Sequence, residues 1–424
     1  MLKYFSVFSK DFMLMILGQI ISLFGNQLLR FALPLYLLSQ TGSAALFGTI
    51  SAISFIPMIL LFPIGGIIAD RVNKRNIMVI LDFSTAALVF FFSLTINNQN
   101  IVSLIAATML LLYAIQGTYQ PAVQASIPVL VDHEHMMTAN SIVDIISSLA
   151  NMLGPVLGGL LYAFIGLSPI LHISIFCFFA SAIMETFIHI PFQKQKNPGN
   201  IIVSGAQDIK ESFLFLISEK PLLLKMAISY GTISLLLCSL FNIALPVLLT
   251  QNLNFPEDIA SRLYGYSQGA IAIGSILGGL LAGILSHRLK AHALPYNMAG
   301  CALCILVGGL ALKTLHSSME IFFVLTAGCS LLMVLSTIFQ IQMMSYVQIL
   351  TPNHLIGKVI SCTICICMCS NPIGQFVYGH IFEHIGQYSY IPFCVAAILV
   401  FIIAFFCRKL FMAVEITLKQ NKLY

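Results

Sequence analysis

The sequence predicts an all-α membrane protein with twelve transmembrane helices, built as two pseudo-symmetric six-helix bundles. Three observations carry this prediction: the composition, a series of long apolar stretches, and motifs that recur in the two halves of the chain. Hydrophobic residues make up 59% of the 424 residues and charged residues only 8%. Because an ordinary soluble domain carries about 25% charged residues, a lipid bilayer is the solvent that suits this composition.

Twelve stretches of the sequence are long and apolar enough to cross a bilayer, for which a helix needs roughly 20 apolar residues. They fall at about 12–38, 44–69, 77–96, 101–123, 138–163, 168–190, 222–250, 263–285, 293–312, 319–344, 357–381 and 387–407. Each stretch is therefore predicted to be a membrane-spanning helix.

The distribution of Lys and Arg predicts the orientation of these helices. Under the positive-inside rule, short loops rich in basic residues stay on the cytoplasmic side of the membrane. With the predicted spans, the loops on the opposite side hold only Arg262 and Lys313. We therefore expect a protein of the cell membrane with both chain termini in the cytoplasm.

The longest polar break in the sequence separates the sixth span from the seventh. Its second part carries Ile209, Phe213 and Leu216 at helical spacing, which is typical of an amphipathic helix lying along a membrane surface. We predict three regions: an N-terminal bundle at 1–192, a cytoplasmic linker at 193–220, and a C-terminal bundle at 221–424.

Short motifs recur in the two halves of the chain. Ala32–Pro34 recurs as Ala244–Pro246, and Gly65-Gly66 recurs in the corresponding position of the eighth span as Gly278-Gly279. Matching positions are separated by between about 212 and 218 residues. Parallel repeats of this kind place the substrate path between the two halves of a transporter.

The loop after the second span carries a compact charged motif, GGIIADRVNKR at residues 65–75. Together with the twelve spans and the central linker, the pattern Gly66-x-x-x-Asp70-Arg71-x-x-Lys74-Arg75 resembles the signature of the major facilitator superfamily between helices two and three. The resemblance covers essentially the whole chain. It implies the fold of that superfamily and transport of a small-molecule substrate across the lipid bilayer by alternating access.

The resemblance also implies gating roles for this motif. In the superfamily the small residue lets helix two approach a helix of the other half, and the acid braces the outward-facing state. These roles fall by position on Gly66 and Asp70, and Arg71 and Arg75 are expected to tie the acid to neighbouring helices. The alternative is that the basic residues are positive-inside anchors. Asp82, two helical turns after Arg75, is predicted to join the same charge network.

Three further stretches narrow the resemblance within the superfamily. GQIISLFGNQLLRFALPLYLLSQTGSA in the first span, PVLVDHEHMMTANSI and GPVLGG are similar to the macrolide- and siderophore-exporting branch. Members of that branch often carry an acid near the position of Asn26, where this chain has an amide. This difference leaves open which residue carries the coupling ion.

Polar residues within the first span are candidates to line the substrate or proton path, because such residues are costly in lipid. They recur at helical spacing on one face, at Gln19, Ser22, Asn26 and Arg30. Arg30 is predicted to line the path or to form an ion pair, and the alternative is that it extends to the outer interface. Its partner in the repeat, Asn242, is also polar.

The fifth span carries a second polar face, which includes Asn140, Asp144 and Asn151. Asp144 is the first candidate for a proton carrier, because a carboxyl group within the membrane can bind and release protons. The alternative is a permanent ion pair between Asp144 and a basic residue such as Arg75. Glu185, near the inner end of the sixth span, is predicted to be interfacial.

These features predict a secondary active transporter that exports drugs or other amphipathic small molecules in exchange for protons. The sequence contains no G-x-x-x-x-G-K-[ST] loop, so ATP is not expected to drive transport directly. No enzymatic activity, cofactor, metal site or nucleic-acid partner is predicted, and we expect a monomer. An uptake symporter for a small metabolite and a lipid translocator are the alternatives.

Overall fold

The apolar stretches form long helices, because a helix satisfies its own backbone hydrogen bonds where lipid offers none. The computed structural model describes residues 9–96, 100–132, 136–190, 221–253, 255–285, 290–351 and 356–421. These residues contain no β-strand. The helices are α1 (Lys10–Thr41), α2 (Ala44–Arg71), α3 (Lys74–Leu94), α4 (Ile101–Leu130), α5 (Met136–Ile165), α6 (Leu167–Thr186), α7 (Pro221–Asn252), α8 (Glu257–Ile284), α9 (Leu294–Thr314), α10 (Ser318–Leu350), α11 (Ile356–Ile385) and α12 (Tyr390–Asn421).

Each predicted span overlaps one of these helices. Eleven helices in the described residues are long and apolar enough to cross a membrane, and α11 coincides with the remaining predicted span at about 357–381. The predicted fold class, an all-α membrane protein, is therefore confirmed.

The fold divides into two compact units. Unit 1 comprises Met1–Thr41, Ile53–Ile202 and Glu257–Gly265, and unit 2 comprises Gly42–Ala52, Val203–Pro256 and Tyr266–Tyr424. Unit 1 thus holds most of α1 to α6, and unit 2 holds most of α7 to α12. The predicted linker at 193–220 lies outside the described residues, so the domain boundaries proposed from the sequence remain predictions.

Equivalent pairs of helices pack in each unit. In unit 1, α1 packs against α5 and α6, and α3 packs against α4 and α6. In unit 2, α7 packs against α11 and α12, and α9 packs against α10 and α12. Adding six to each helix number converts the first set of pairs into the second, so the two units are pseudo-symmetric as predicted.

Two matching glycine pairs show how closely the units correspond. A Cβ atom at Gly65 would lie 2.7 Å from a backbone atom of α4, and one at Gly278 would lie 2.6 Å from a backbone atom of α10. A Cβ atom at Gly66 or Gly279 would have no neighbour within 4 Å. The Gly65 contact is with α4 of the same unit, so the approach to the other half that the resemblance assigns to Gly66 stays a prediction.

Polar contacts join the start of α3 to the end of α6. Asn73 caps α3 by accepting a hydrogen bond from the Arg75 backbone N–H at 3.0 Å, and its Nδ2 donates to the Ile190 carbonyl at 3.3 Å. Arg75 Nη2 donates to the carbonyl of Thr186. We call this end of unit 1 the basic end. These contacts fix the register of two helices that carry the site described below.

We predict that Gly65→Ala destabilises the protein relative to Gly66→Ala. Both substitutions gain the same helix propensity, but only the methyl group at position 65 meets the backbone of a neighbouring helix. Overpacking of this kind costs about 1–3 kcal/mol. The melting temperatures of the two purified variants in detergent measure the difference, and Gly278→Ala against Gly279→Ala repeats the comparison in unit 2. Equal melting temperatures within each pair would contradict the packing described here.

Candidate functional site

Unit 1 contains a polar pocket among α1, α3, α4 and α6. Its empty volume is about 330 Å³, part of which is open to solvent. The polar and aromatic side chains that line it include Ser22, Asn26, Asp82, Thr85, Gln116, Tyr119, Gln120 and Phe178. Two residues of the predicted polar face of the first span therefore lie in this pocket.

Arg30, on the same helix, is half-buried and held by α4. Its Nη1 donates to Gln116 Oε1 at 3.1 Å, while Nε and Nη2 donate to the Tyr113 hydroxyl at 3.2 and 3.1 Å. The guanidinium carbon also lies 4.5 Å from the centroid of the Tyr113 ring. An arginine has five N–H donors, so two are left by these contacts. No described carboxylate lies within 4.0 Å of Arg30.

Asp82 of α3 lies inside unit 1, with an exposed fraction of 2%. The Ser22 hydroxyl donates to its Oδ1 at 3.0 Å, and Oδ2 has no hydrogen-bond partner among the described residues. The sequence predicted a charge network with Arg75, but no described Lys, Arg or His nitrogen lies within 4.0 Å of this carboxyl group. Seven residues of helix rise by about 10 Å, which places Asp82 well beyond the basic end.

Glu185 of α6 is fully buried, with an exposed fraction of 0%. The Tyr119 hydroxyl donates to Glu185 Oε1 at 2.7 Å, and Oε2 has no hydrogen-bond partner among the described residues. Gly18 of α1 makes room for this side chain, because a Cβ atom there would lie 3.4 Å from Glu185 Cγ. The sequence predicted an interfacial residue. The sequence signal that could have identified Glu185 as a functional residue is the presence of an acid within an apolar span.

Gln19 adds a third buried polar group one turn before Ser22. Its exposed fraction is 0%, and neither Nε2 nor Oε1 has a partner among the described residues. Burying a polar atom without a hydrogen bond costs roughly 1–3 kcal/mol. We call Gln19, Ser22, Asp82, Tyr119 and Glu185 the buried acid cluster. It contains four buried polar atoms without a partner in the described part of the chain.

The polar face of the fifth span meets α1 on another side. Gln27 Nε2 donates to Asn151 Oδ1. A Cβ atom at Gly154 would clash with the Gln27 Cβ, so this part of α5 packs closely on α1. This face therefore contributes to packing within unit 1 at the level of Gln27.

For several of the predicted site residues, the contacts described above give no information about their role. Asp70 lies within α2, and Asn140 and Asp144 lie within α5, but the side chains of all three are outside the described set. Arg71 is half-buried at the end of α2, and Asn242 of α7 is exposed. The roles proposed for these five residues stay predictions.

Two equivalent units of apolar helices, one of them with a polar pocket in its interior, are the features of a multi-pass membrane transporter. The chain matches the family model of the Major Facilitator Superfamily over residues 15–370, so it belongs to that superfamily. The resemblance inferred from its motifs is thereby confirmed. The protein is a transporter and not an enzyme.

Characterised relatives align over most of the chain. The sequence is 24% identical over 397 residues to Macrolide efflux protein A of Streptococcus pyogenes, covering 92% of this chain and 93% of that protein. It is 23% identical over 357 residues to the Enterobactin exporter EntS of Salmonella choleraesuis, covering 81% of this chain and 78% of that protein.

Solved structures share the fold at lower sequence identity. A bacterial homologue of the iron transporter ferroportin in an inward-facing state aligns with a TM-score of 0.70 and 17% identity, covering 94% of this chain and 98% of that chain. The nucleoside transporter NupG aligns with a TM-score of 0.73 and 12% identity, covering 96% and 99%. These similarities support the fold of the superfamily.

We predict that Tyr119→Phe lowers stability by about 1–3 kcal/mol, because it removes the donor to a buried carboxyl group. Thermal unfolding of the purified protein in detergent measures this loss. Tyr388→Phe is the matched control, since that tyrosine is 60% exposed. Tyr119→Phe should cost much less in a Glu185→Met background, where the acceptor is gone. The same cost in both backgrounds would contradict the assigned hydrogen bond.

Proposed function

We propose that this protein is a secondary active transporter of the cell membrane, which exports amphipathic small molecules by alternating access in exchange for protons. The observation that carries this proposal is the polar pocket of unit 1, which is lined by the buried acid Asp82 and by Gln116, the hydrogen-bond partner of Arg30. No described carboxylate lies within 4.0 Å of this arginine. The full-length relatives named as macrolide and enterobactin exporters support export as the direction.

The lining of the pocket favours a substrate with both apolar and oxygen-rich parts. Phe178 and Tyr119 offer apolar ring surface, whereas Asn26 and Gln120 offer hydrogen bonds. The two remaining N–H donors of Arg30 are suited to a carbonyl, hydroxyl or carboxylate oxygen of the substrate.

The proposed driving force is the proton gradient. A membrane-embedded acid that changes its access between the two sides of the membrane can carry a proton one way while substrate moves the other way. The buried acid cluster adjoins the substrate pocket through Asp82 and Tyr119, which favours coupling within one unit. This arrangement also fits a monomer, because the described lining of the pocket comes from unit 1 of a single chain.

The proposed orientation places both termini, and hence the basic end of unit 1, in the cytoplasm. Gly66, Asp70, Arg71 and Arg75 would then lie at the cytoplasmic end, where the resemblance assigns them gating roles. The hydrogen bond from Arg75 to the carbonyl of Thr186 supports the idea that this arginine ties neighbouring helices together. An uptake symporter or a lipid translocator of the same fold is the alternative.

We predict that cells producing this protein extrude ethidium or erythromycin only while a proton gradient is present. The test compares accumulation of each compound in a host lacking its own pumps, with and without an uncoupler. Lower accumulation in producing cells, abolished by the uncoupler, is the expected result. Accumulation of each compound above the level in control cells would indicate uptake and contradict export.

We predict that Arg30→Gln lowers the transport rate of erythromycin by about tenfold to a hundredfold, since a hydrogen bond to a charged group contributes about 1.5–3 kcal/mol. Arg408→Gln is the matched control, because that arginine is exposed on α12. Initial efflux rates at equal protein levels measure the effect. Equal rates in the two variants would remove Arg30 from the substrate path.

A further inference from the structure

We propose that the buried acid cluster of unit 1 is the proton-binding site of the transporter, with Asp82 and Glu185 as the groups that take up and release the proton. This inference rests on the proposed function and assigns the proton to a particular place within it. The sequence alone predicts Asp82 in a cytoplasmic charge network and Glu185 at the interface, and it offers Asp144 as the first candidate for a proton carrier, with a permanent ion pair as the alternative.

The carboxyl groups of the cluster have no described cation beside them. Asp82 and Glu185 are both buried inside unit 1, and no described Lys, Arg or His nitrogen lies within 4.0 Å of either. Two ionised carboxylates without a cation would be costly in this environment. Binding a proton removes the charge of a carboxylate and requires no more space than the packed helices leave around it.

The two carboxyl groups have similar hydrogen-bond geometry. Each has one oxygen that accepts a hydrogen bond, from Ser22 for Asp82 and from Tyr119 for Glu185. The second oxygen of each group is buried and has no partner among the described residues. A proton would bind at Asp82 Oδ2 or Glu185 Oε2. The amide of Gln19, one turn before Ser22 on α1, is likewise buried without a partner among the described residues.

The site is reached through the pocket. Asp82 and Tyr119 line the pocket, and Glu185 receives the Tyr119 hydroxyl. A proton can therefore pass from pocket water to Asp82, forming one O–H bond and breaking one, with no other change in bonding. Tyr119 connects the pocket to the second carboxyl group. Release of the proton to water reverses the step.

Among the described residues, few other ionisable groups surround the cluster. Of the helices around the cluster, α1 contributes Gln19 and Ser22, and α4 contributes Tyr119 as its titratable group. The described basic side chain nearest along α3 is Arg75, which donates to the carbonyl of Thr186. The Asp144 side chain of α5 lies outside the described set.

Unit 2 lacks an equivalent acid on its last helix. The repeat offset of about 212–218 residues maps Glu185 onto residues 397–403, all of which are apolar. Val400 in this segment is fully buried. The carboxyl pair is therefore a special feature of unit 1 and is not required by the shared architecture of the two units.

A metal ion is less suited to the cluster than a proton. Within the described residues, no group of three or more His, Cys, Asp or Glu side chains could hold a metal ion. Hard cations such as Mg²⁺ and Ca²⁺ require six or more oxygen ligands. A sodium ion is the competing occupant that the transport experiment below distinguishes.

The direct test follows protonation by infrared spectroscopy of the full-length protein in lipid. A carboxylic acid C=O band in the wild type should diminish as the pH is raised, and this titrating band should be lost or shifted in Glu185→Gln and in Asp82→Asn. Glu320→Gln is the matched control, because that glutamate is exposed. A titrating band that is unchanged in both cluster variants would overturn the inference.

The second test measures coupling in proteoliposomes with ethidium as the probe. A gradient of about one pH unit should accelerate wild-type and Glu320→Gln transport by up to about tenfold, whereas Glu185→Gln should show no acceleration. Asp82→Asn serves in its place should Glu185→Gln not fold. An acceleration retained in the cluster variants would overturn the inference, as would acceleration by a sodium gradient that the variants abolish. Wild-type ethidium transport that does not change with the pH gradient would refute the proposed function. The infrared test would still decide whether the cluster binds a proton.

Discussion

The hydrogen bond between Tyr119 and Glu185 is the interaction on which the account of unit 1 depends. It lies inside a bundle whose helices must face lipid, where an ionisable group without a partner is expensive. This hydrogen bond, with 2.7 Å between the Tyr119 hydroxyl and Glu185 Oε1, joins α4 to α6. The hydrogen bond from Ser22 to Asp82 joins α1 to α3. Four helices are thus held around one polar interior. Transport requires such polar groups in a chain that otherwise avoids them.

Much of the fold is predictable from the sequence, because lipid requires helices wherever a long apolar stretch occurs. All the predicted spans overlap observed helices, and the motif repeat predicted two equivalent units. Local irregularities were not predictable. A π-helical turn at Ser234–Cys238 interrupts α7, and another at Leu248–Asn252 ends it. Within the first turn, the Leu236 carbonyl accepts a hydrogen bond from the Tyr378 hydroxyl of α11. Such turns depend on contacts between distant segments, which hydropathy does not encode.

The site could be predicted only in part. Helical spacing predicted that Ser22 and Asn26 of the first span share one face, and both side chains line the pocket. Sequence position alone suggested that Asp82 and Glu185 belonged near the cytoplasmic surface. Their burial arises from helix packing: Gly18 admits the Glu185 side chain. A single sequence reports how deep a residue lies along its own helix, but not which neighbouring helix covers it.

The measurement that tests the central claim most directly is proton release on substrate binding. In weakly buffered solution containing a pH-indicator dye, adding erythromycin to the purified wild-type protein should release protons, because the proposed exchange mechanism makes substrate and proton compete for unit 1. Glu185→Gln should release none at the same protein concentration. Equal proton release from the wild type and the variant would contradict the account.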